Sequence, residues 1–305
     1  MKNILVVGSL NMDETVRMDV FPSAGQTVVG SSVLYAPGGK GNNQCIAAKR
    51  LGGNVKMAGM LGNDAHGKTL RALLFDEGIT DGCVFACGLP TGMAQIQIDR
   101  EGQNRICVVP SANHAFGGAE IGKIDGALRE ADFVVLQLEL RIDVTEEIVR
   151  RAHGYGKTIL LNPAPAAKLS PDILPLADYL IPNESELSGL TGLPSSTDGE
   201  VVLASEKLRA SGVRNVIVTL GKRGVYANSE TFTGFVPGFP VRAVDTVAAG
   251  DCFIGAFAVG LSEGKSVPDS LRFANAAAAL SVQTEGAVPS LPARQTVDAF
   301  LAERY

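Results

Sequence analysis

The sequence predicts an α/β fold with a mostly parallel central sheet flanked by helices, and a small β-sheet inserted into it. Short apolar runs rich in β-branched residues recur along the chain, and helical patterns separate many of them. Two segments, near residues 14–36 and 92–110, break this alternation with β-like patterns. The 305 residues contain no repeat or linker that would divide them, so we expect one domain over residues 1–305.

The first strand is Ile4–Val7, an apolar run that ends at Gly8. Similar runs predict further buried strands at Val55–Met60, Phe133–Leu138, Thr158–Leu161, Tyr179–Ile181 and Val216–Leu220. Helical patterns predict helices at Asn43–Leu51, Gly67–Glu77, Val144–His153, Val201–Ser211, Gly250–Ser262, Val267–Gln283 and Arg294–Glu303.

The two irregular segments predict the small sheet. The first contains β-like runs at Thr15–Val20 and Thr27–Leu34. The second alternates apolar and polar residues from Met93 to Val109, with a turn at Asp99–Gly102, which is typical of an antiparallel hairpin. Because both segments lie near glycine-rich stretches, we expect the small sheet to act as a lid, a dimer surface or both.

Charge and cysteine content limit the classes of partner. The net charge of −5 provides no basic field for nucleic acid or for an anionic membrane. Five scattered cysteines, an odd number, indicate a reducing compartment. The chain enters a strand directly after Asn3 and has no apolar run of membrane-spanning length, so we expect a cytoplasmic protein without a signal peptide.

The residues after the first strand carry polar groups instead of a dinucleotide fingerprint. Only Gly8 of a G-x-G-x-x-G pattern is present, which disfavours a nicotinamide-dependent dehydrogenase. Asn11 and Asp13 lie beyond the carboxyl end of a parallel strand, where open α/β sheets bind ligands. A carboxylate and an amide suit the recognition of hydroxyl groups, although both residues are also common in turns.

The second candidate site is a glycine-rich segment, Gly38–Gly41, just before a predicted helix. Its glycines allow close backbone approach, and Lys40 and Asn43 add polar groups at a helix N-terminus. The spacing of a Walker A loop is absent. The clustering of Gly, Lys and Asn therefore favours a ligand site over a plain turn.

Asn183 and Glu186 form a third candidate. If a helix begins at Asn183, the two side chains share a face and could hold a hydrated Mg²⁺ ion. The same spacing is equally typical of a helix capping box, and taken alone it favours the cap.

The sharpest pattern leads into an apolar helix at Asp251. The small residues Ala248, Ala249 and Gly250 uncover successive N–H groups at the helix start, which predicts an anion hole for a phosphoryl group in transfer. Asp251 would repel a bound anion, but it is well placed to accept a proton from an attacking hydroxyl. The alternative is an aspartate that only stabilises the helix dipole.

Together these segments resemble the PfkB-type, ribokinase-like family of carbohydrate kinases over nearly the whole chain. The resemblance rests on an N-terminal and a C-terminal signature and on three shorter motifs between them. These segments are Gly38–Gly41 with Asn43-Gln44, Asp245–Asp251, Leu161–Pro165, Pro182–Glu184, and Thr219–Gly221 with Gly224-Val225. The resemblance implies a ribokinase-like fold with a lid, which is commonly also a homodimer surface. It further implies transfer of the γ-phosphoryl group of ATP to the 5-hydroxyl of ribose or a similar pentose.

The resemblance also implies residue roles. Asp251 is the base, and the backbone of Ala248, Ala249 and Gly250 stabilises the phosphoryl group. The sugar-binding positions, besides Asp251, are Asn11, Asp13, Gly39, Lys40, Asn43 and Glu139. The nucleotide positions are Asn183, Thr219, Gly221, Gly224, Gly250 and Asn275. Asn183 and Glu186 match an element linked to Mg²⁺. A loop for a monovalent cation, K⁺, is implied at Asp245, Val247, Ser281, Thr284, Gly286 and Ser290.

The sequence departs from the family at Ile254, where an asparagine commonly stands three residues after the base. If that asparagine braces the anion hole, activity would fall or the acceptor would differ. Two alternatives therefore accompany the pentose kinase. One is a kinase for deoxyribose, fructose or another ketose, or a nucleoside; the other is a sugar-binding regulator that has lost catalysis.

Overall fold

The structure is a computed structural model that describes residues 2–80 and 82–304. Within these residues the strands are β1 (Asn3–Val7), β2 (Asn11–Met18), β3 (Gly30–Gly38), β4 (Asn54–Gly62), β5 (Cys83–Cys87), β6 (Gly92–Ile98), β7 (Asn104–Val109), β8 (Phe133–Leu136), β9 (Thr158–Leu161), β10 (Tyr179–Leu180), β11 (Asn215–Thr219), β12 (Gly224–Asn228) and β13 (Thr233–Pro237). The α-helices are α1 (Lys40–Arg50), α2 (Ala65–Asp76), α3 (Ala112–Ala115), α4 (Gly118–Lys123), α5 (Asp125–Glu130), α6 (Ile142–Gly154), α7 (Glu184–Thr191), α8 (Asp198–Ala210), α9 (Ala249–Ser262), α10 (Val267–Ser281), α11 (Ala287–Ser290) and α12 (Arg294–Ala302).

The large sheet has nine strands in the order β13-β12-β11-β10-β9-β8-β1-β4-β5. All pairs from β11 to β5 are parallel, whereas β12 pairs antiparallel with β11 and with β13. This confirms the predicted fold class. The strands β5, β12 and β13 at the two edges of the sheet were not predicted from the sequence.

The central strands are buried on both faces because two hydrophobic clusters cover them. Alternate side chains of β1 enter opposite clusters: Ile4 and Val6 pack with α1, α9 and α10, whereas Leu5 and Val7 pack with α6 and α8. This two-sided burial explains why the strands read as continuous apolar runs. Within the described part of the chain, no helix combines the length and apolar character needed to cross a membrane.

The small sheet has the strand order β3-β2-β6-β7. The predicted hairpin of β6 and β7 is present, β2 and β3 are also antiparallel, and a parallel β2–β6 pair joins the two halves. Strand β2 starts at Asn11, earlier than the β-like run predicted from Thr15. Asn11 and Asp13 therefore lie inside β2, not in a turn after β1.

Helices α1 and α9 pack in very close contact. A Cβ atom at Gly255 would lie 2.7 Å from the carbonyl oxygen of Gln44 and 2.8 Å from the Cβ of Ala47. Only glycine permits this approach, which is well inside van der Waals distance for a methyl group. As a result, the glycine-rich segment before α1 and the start of α9 lie side by side, although they are about 200 residues apart in sequence.

Candidate active site

A cavity of about 760 Å³ opens between the two sheets, near the carboxyl ends of the parallel strands. One wall is polar, and the other is formed by apolar side chains of the small sheet, Ala94, Ile96, Ile106 and Val108. The structure brings together every residue expected to bind the acceptor. These lining residues are Asn11, Asp13, Gly39, Lys40, Asn43, Glu139 and Asp251.

Asp251 lies in the first turn of α9 and is only 7% exposed. Asn43 Nδ2 donates to its Oδ2 at 3.1 Å, and Gln44 Nε2 donates to its Oδ1 at 2.9 Å. Burial raises the pKa of this carboxyl, whereas Lys40 and the two amide donors lower it. Burial outweighs these groups, so the pKa of Asp251 stays above its ordinary value, and the side chain is fixed by its two hydrogen bonds to α1.

Charge is concentrated around Lys40. Burial, together with Glu139 and Asp251, raises the pKa of Asp13 to about 7. Asp251 is the main cause that raises the pKa of Lys40, with Glu139 and Glu186 adding to it against the effect of burial. One cation therefore faces several carboxylates, and this polar wall can both donate to and accept from hydroxyl groups.

Glu139 and Asn11 are themselves held in place. Glu139 Oε2 accepts a hydrogen bond from the backbone N–H of Lys40 at 3.1 Å and another from the Ser9 hydroxyl. Asn113 Nδ2 donates to Asn11 Oδ1 at 2.7 Å, so the Asn11 amide nitrogen is left as the group that can donate to a ligand.

The start of α9 is an open array of N–H groups. Ala248 has φ +60° and ψ +5°, a left-handed conformation that is strained for a residue with a Cβ. Within residues 2–80 and 82–304, the N–H groups of Gly250 and Asp251 have no hydrogen-bond acceptor. A Cβ at Gly250 would meet no atom within 4 Å. These uncovered donors form a site for an anion.

A second cavity, of about 540 Å³, lies on the other side of the α9 start. Ala249 and Gly250 line this second cavity, whereas Ala248 and Asp251 line the first. The helix start is therefore a wall shared by both cavities. Five residues expected around the nucleotide line the second cavity: Thr219, Gly221, Gly224, Gly250 and Asn275. The sixth, Asn183, does not line it.

Asn183 and Glu186 form a capping box at the start of α7. Asn183 Oδ1 accepts from the Glu186 N–H at 2.8 Å, and Glu186 Oε2 accepts from the Asn183 N–H at 2.8 Å. Neither residue lines the two cavities. Burial raises the pKa of Glu186 while Lys40 lowers it, so the carboxylate nevertheless lies within electrostatic reach of the site.

Among the residues expected to form a cation loop, Asp245 is bonded to both Val247 and Gly286. Asp245 Oδ1 accepts from the N–H of Val247 at 3.0 Å, and its Oδ2 accepts from the N–H of Gly286 at 2.9 Å. The Thr284 N–H lies 3.3 Å from the carbonyl oxygen of Ser281. The Ser290 hydroxyl, which belongs to the same expected set, donates to Ala287.

Several residues in or beside the site were not proposed as site residues from the sequence, and three of them illustrate why. Lys222 lines the second cavity, Asn113 orients Asn11, and Gln137 bonds Gln44. Lys222 stands between Gly221 and Gly224, and that glycine pair was the available signal. No local pattern marks Asn113 or Gln137, because their partners are 102 and 93 residues away.

Ile254 lies in the hydrophobic core and is 3% exposed. It lines neither cavity. Ala249 N–H reaches the carbonyl oxygen of Thr246 at 3.3 Å, and Cys252 N–H reaches that of Ala248 at 2.8 Å. The turn is therefore held by backbone bonds that do not involve the side chain at position 254.

Comparisons with known proteins agree with this architecture. The model of the pfkB family carbohydrate kinases matches residues 1–294. Ribokinase from Bacillus subtilis strain 168 is 39% identical over 303 residues, covering 99% of this chain and 100% of that protein.

Two solved structures are similar along the whole chain. Thermotoga maritima ribokinase has a TM-score of 0.91 at 39% identity, covering 99% of this chain and 100% of that one. Arabidopsis thaliana ribokinase, complexed with ribose and ATP, has a TM-score of 0.91 at 34% identity, covering 98% of both chains.

Proposed function

The chain belongs to the pfkB family of carbohydrate kinases, and on that premise we propose that it transfers the γ-phosphoryl group of ATP to the 5-hydroxyl of ribose. The observation that carries this proposal is the shared wall at the start of α9. An acceptor in the first cavity would reach Asp251, which lines it, and a nucleotide in the second would reach Ala249 and Gly250. The two substrates would therefore meet at the uncovered N–H groups.

Asp251 would remove the proton from the 5-hydroxyl as its oxygen attacks phosphorus. To act at neutral pH the carboxylate must be ionised, and Lys40 together with the Asn43 and Gln44 amides favours that state. Asn11, Asp13 and the other polar groups of the acceptor cavity would hold the remaining sugar hydroxyls. The apolar wall from the small sheet would exclude water, which otherwise competes as the acceptor.

The backbone at Ala248, Ala249 and Gly250 would stabilise the phosphoryl group in transfer. Its N–H groups are oriented before the reaction, so they need no rearrangement when charge develops on the equatorial oxygens. The strained Ala248 fits this role, because strain of this kind clusters at functional sites. Lys222, which lines the second cavity together with Ala249 and Gly250, would attract the nucleotide phosphates.

Mg²⁺ would accompany the nucleotide. Mg²⁺ prefers oxygen ligands and usually keeps several of its waters, so one or two protein oxygens are enough to position it. Each Glu186 oxygen keeps a lone pair after the capping box is made, so Asn183 and Glu186 fit a water-mediated role. When bound, the ion supplies charge neutralisation at the phosphates.

K⁺ would bind at the loop of Asp245, Val247, Ser281, Thr284, Gly286 and Ser290. Carbonyl and carboxylate oxygens suit this ion, and Asp245 already ties the two halves of the loop together. Because Val247 is the residue before Ala248, the loop would steady the anion hole.

We further propose a cytoplasmic homodimer formed through the small sheet. The exposed apolar side chains of Val33, Leu34 and Val109 on that sheet favour the dimer, and the free cysteines favour the cytoplasm.

Asp251→Asn tests the proposal. We expect calorimetry to show retained ribose binding, and turnover to fall by about 10²- to 10⁴-fold, the contribution of a general base. Asp269→Asn is a matched control, because Asp269 occupies the same position in the first turn of α10, away from both cavities. Loss in both variants would mean that the carboxylates serve only their helices, and near-normal turnover of Asp251→Asn would contradict the assignment of the base.

The acceptor is tested separately by measuring kcat/KM for ribose, 2-deoxyribose, fructose and nucleosides, with and without K⁺. Ribose is expected to give the highest value, and K⁺ to raise it. A higher value for another acceptor would redirect the proposal to that sugar. Sugar binding with no product under any of these conditions would support a regulator that has lost catalysis.

A further inference from the structure

We propose that Gln44 is a positioning residue for catalysis: oriented by Gln137, it fixes Asp251 in its ionised form for proton removal. This inference rests on the proposed role of Asp251 as the base. Neither glutamine lines the acceptor cavity, so neither is placed to touch the sugar. Both act through a chain of buried amides that ends on the Asp251 carboxylate.

The chain of hydrogen bonds is short and completely buried. Gln137 Nε2 donates to Gln44 Oε1 at 2.6 Å, and Gln44 Nε2 donates to Asp251 Oδ1 at 2.9 Å. The exposed fractions are 1% for Gln137 and 0% for Gln44. Hydrogen bonds to a charged group are stronger than those between neutral groups, and away from water they are stronger still.

Gln137 determines which end of the Gln44 amide faces the carboxylate. With its Oε1 engaged by Gln137, Gln44 can present only its NH₂ group to Asp251. The opposite orientation would place an amide oxygen against the carboxylate and would repel it. Asn162 supports the same orientation, because its Oδ1 lies 3.5 Å from Gln44 Nε2 while its own Nδ2 donates to the Ile181 carbonyl at 2.9 Å.

The side-chain oxygen of Gln137 shows that this arrangement has an unfavourable energetic cost. Within the described residues, Gln137 Oε1 is buried without a hydrogen-bond partner. A buried acceptor without a partner is unfavourable and calls for an explanation. The explanation is that Gln137 Nε2 donates to Gln44 Oε1, which fixes the orientation of the Gln137 amide. Gly8 makes room for this side chain, since a Cβ there would lie 1.9 Å from Gln137 Oε1.

Other charges around Asp251 explain why such a donor matters. Lys40 from α1 favours the ionised carboxylate, whereas burial and Glu139 disfavour it. Asp13 on β2 and Glu186 on α7 also interact with it as like charges. Removing the Gln44 donor leaves these opposing effects in place, so protonation of Asp251 becomes easier and fewer molecules hold a free base at neutral pH.

The test is the single-turnover rate of ribose phosphorylation measured against pH in Gln44→Met. We expect the acidic limb of the profile to move up by about one pH unit, the shift produced by losing a hydrogen bond of about 1.5 kcal/mol to a charged group. The rate should recover towards that of the wild type at alkaline pH, and the KM for ribose should change little. A purely structural defect would lower the rate equally at all pH values.

Gln137→Met and Asn215→Leu complete the experiment. Gln137→Met keeps the hydrogen bond from Gln44 to Asp251 but no longer holds the Gln44 amide in one orientation. The acidic limb of this variant should therefore move in the same direction by a smaller amount. This variant also carries the test if Gln44→Met does not fold. Asn215 is a buried amide at the start of β11, outside the chain of hydrogen bonds to Asp251. Asn215→Leu should therefore lower stability without moving the acidic limb.

An acidic limb that coincides with the wild type in the glutamine variants would overturn the inference. With Asp251→Asn inactive, that result would leave the proposed function intact. If Asp251→Asn is itself active, the proposed base fails, whatever the glutamine variants show.

Discussion

Replacing Asp13 with Asn is expected to stabilise the unliganded protein above pH 7 while weakening acceptor binding. Asp13 is partly buried on β2, where burial and the charges of Glu139 and Asp251 raise its pKa to about 7. Above that pH the folded protein must hold a carboxylate in unfavourable surroundings. The neutral amide removes this penalty, but it also removes an acceptor for the sugar hydroxyls.

The size of the effect follows from the shift in pKa. A rise from 3.8 to about 7 corresponds to an upper limit of about 4 kcal/mol, at about 1.4 kcal/mol per pH unit. In this window the folded protein binds a proton that the unfolded chain has released, so stability falls as pH rises and stays low above pH 7. Because Asp13 borders an open cavity, solvent screening reduces the gain in the variant to about 1–2 kcal/mol.

Urea unfolding without sugar, at about pH 5 and about pH 8.5, measures this difference. The stabilisation of Asp13→Asn should be clearly larger at the higher pH, and calorimetry should show weakened ribose binding. Asp19→Asn, at an exposed position just beyond β2, is the matched control and should change neither quantity. A stabilisation of Asp13→Asn that is equal at both pH values, or larger at the lower one, would refute the reasoning.

Three further predictions concern the walls of the cavities. Gly39→Ala should destabilise the protein by about 2 kcal/mol or more and abolish ribose binding, because φ at this position is +92° and the new Cβ would lie 2.8 Å from the backbone nitrogen of Asn11. Thermal unfolding measures the change in stability, and Gly126→Ala is the control because a Cβ there meets open space. Asn113→Ala should raise the KM for ribose about tenfold with kcat preserved, since it frees the Asn11 amide; an unchanged KM would contradict this. Lys222→Ala should raise the KM for ATP several-fold and leave that for ribose unchanged, and equal changes in both would argue against a nucleotide contact.

Local patterns were sufficient for the parts of the protein whose determinants are close in sequence. The buried strands of the parallel sheet are apolar on both faces, so β1 and β9 could be read directly. The small residues before Asp251 likewise indicated an uncovered helix start, and the structure places it between two cavities.

The features that escaped prediction depend on distant partners or on position in the sheet. The edge strand β5 (Cys83–Cys87) is partly exposed, so it lacks the apolar run of a central strand. β12 and β13 pair with each other as an antiparallel hairpin, which the alternation of strands and helices did not suggest. Asn183 and Glu186 show a different limit, because the same spacing serves a capping box and a metal-linked carboxylate.

The wall shared by the two cavities has a consequence for inhibitor design. The start of α9 is the partition, so a sugar and an adenosine joined through a phosphate chain would lie across it, with the chain over the N–H groups of Gly250 and Asp251. Such a ligand binds its second half at the high effective concentration set by the linker. The two ends of the ligand would meet different surroundings: a polar wall in the first cavity, and apolar residues such as Phe239 and Val241 in the second. Selectivity could therefore be adjusted at the sugar end without changing the other end.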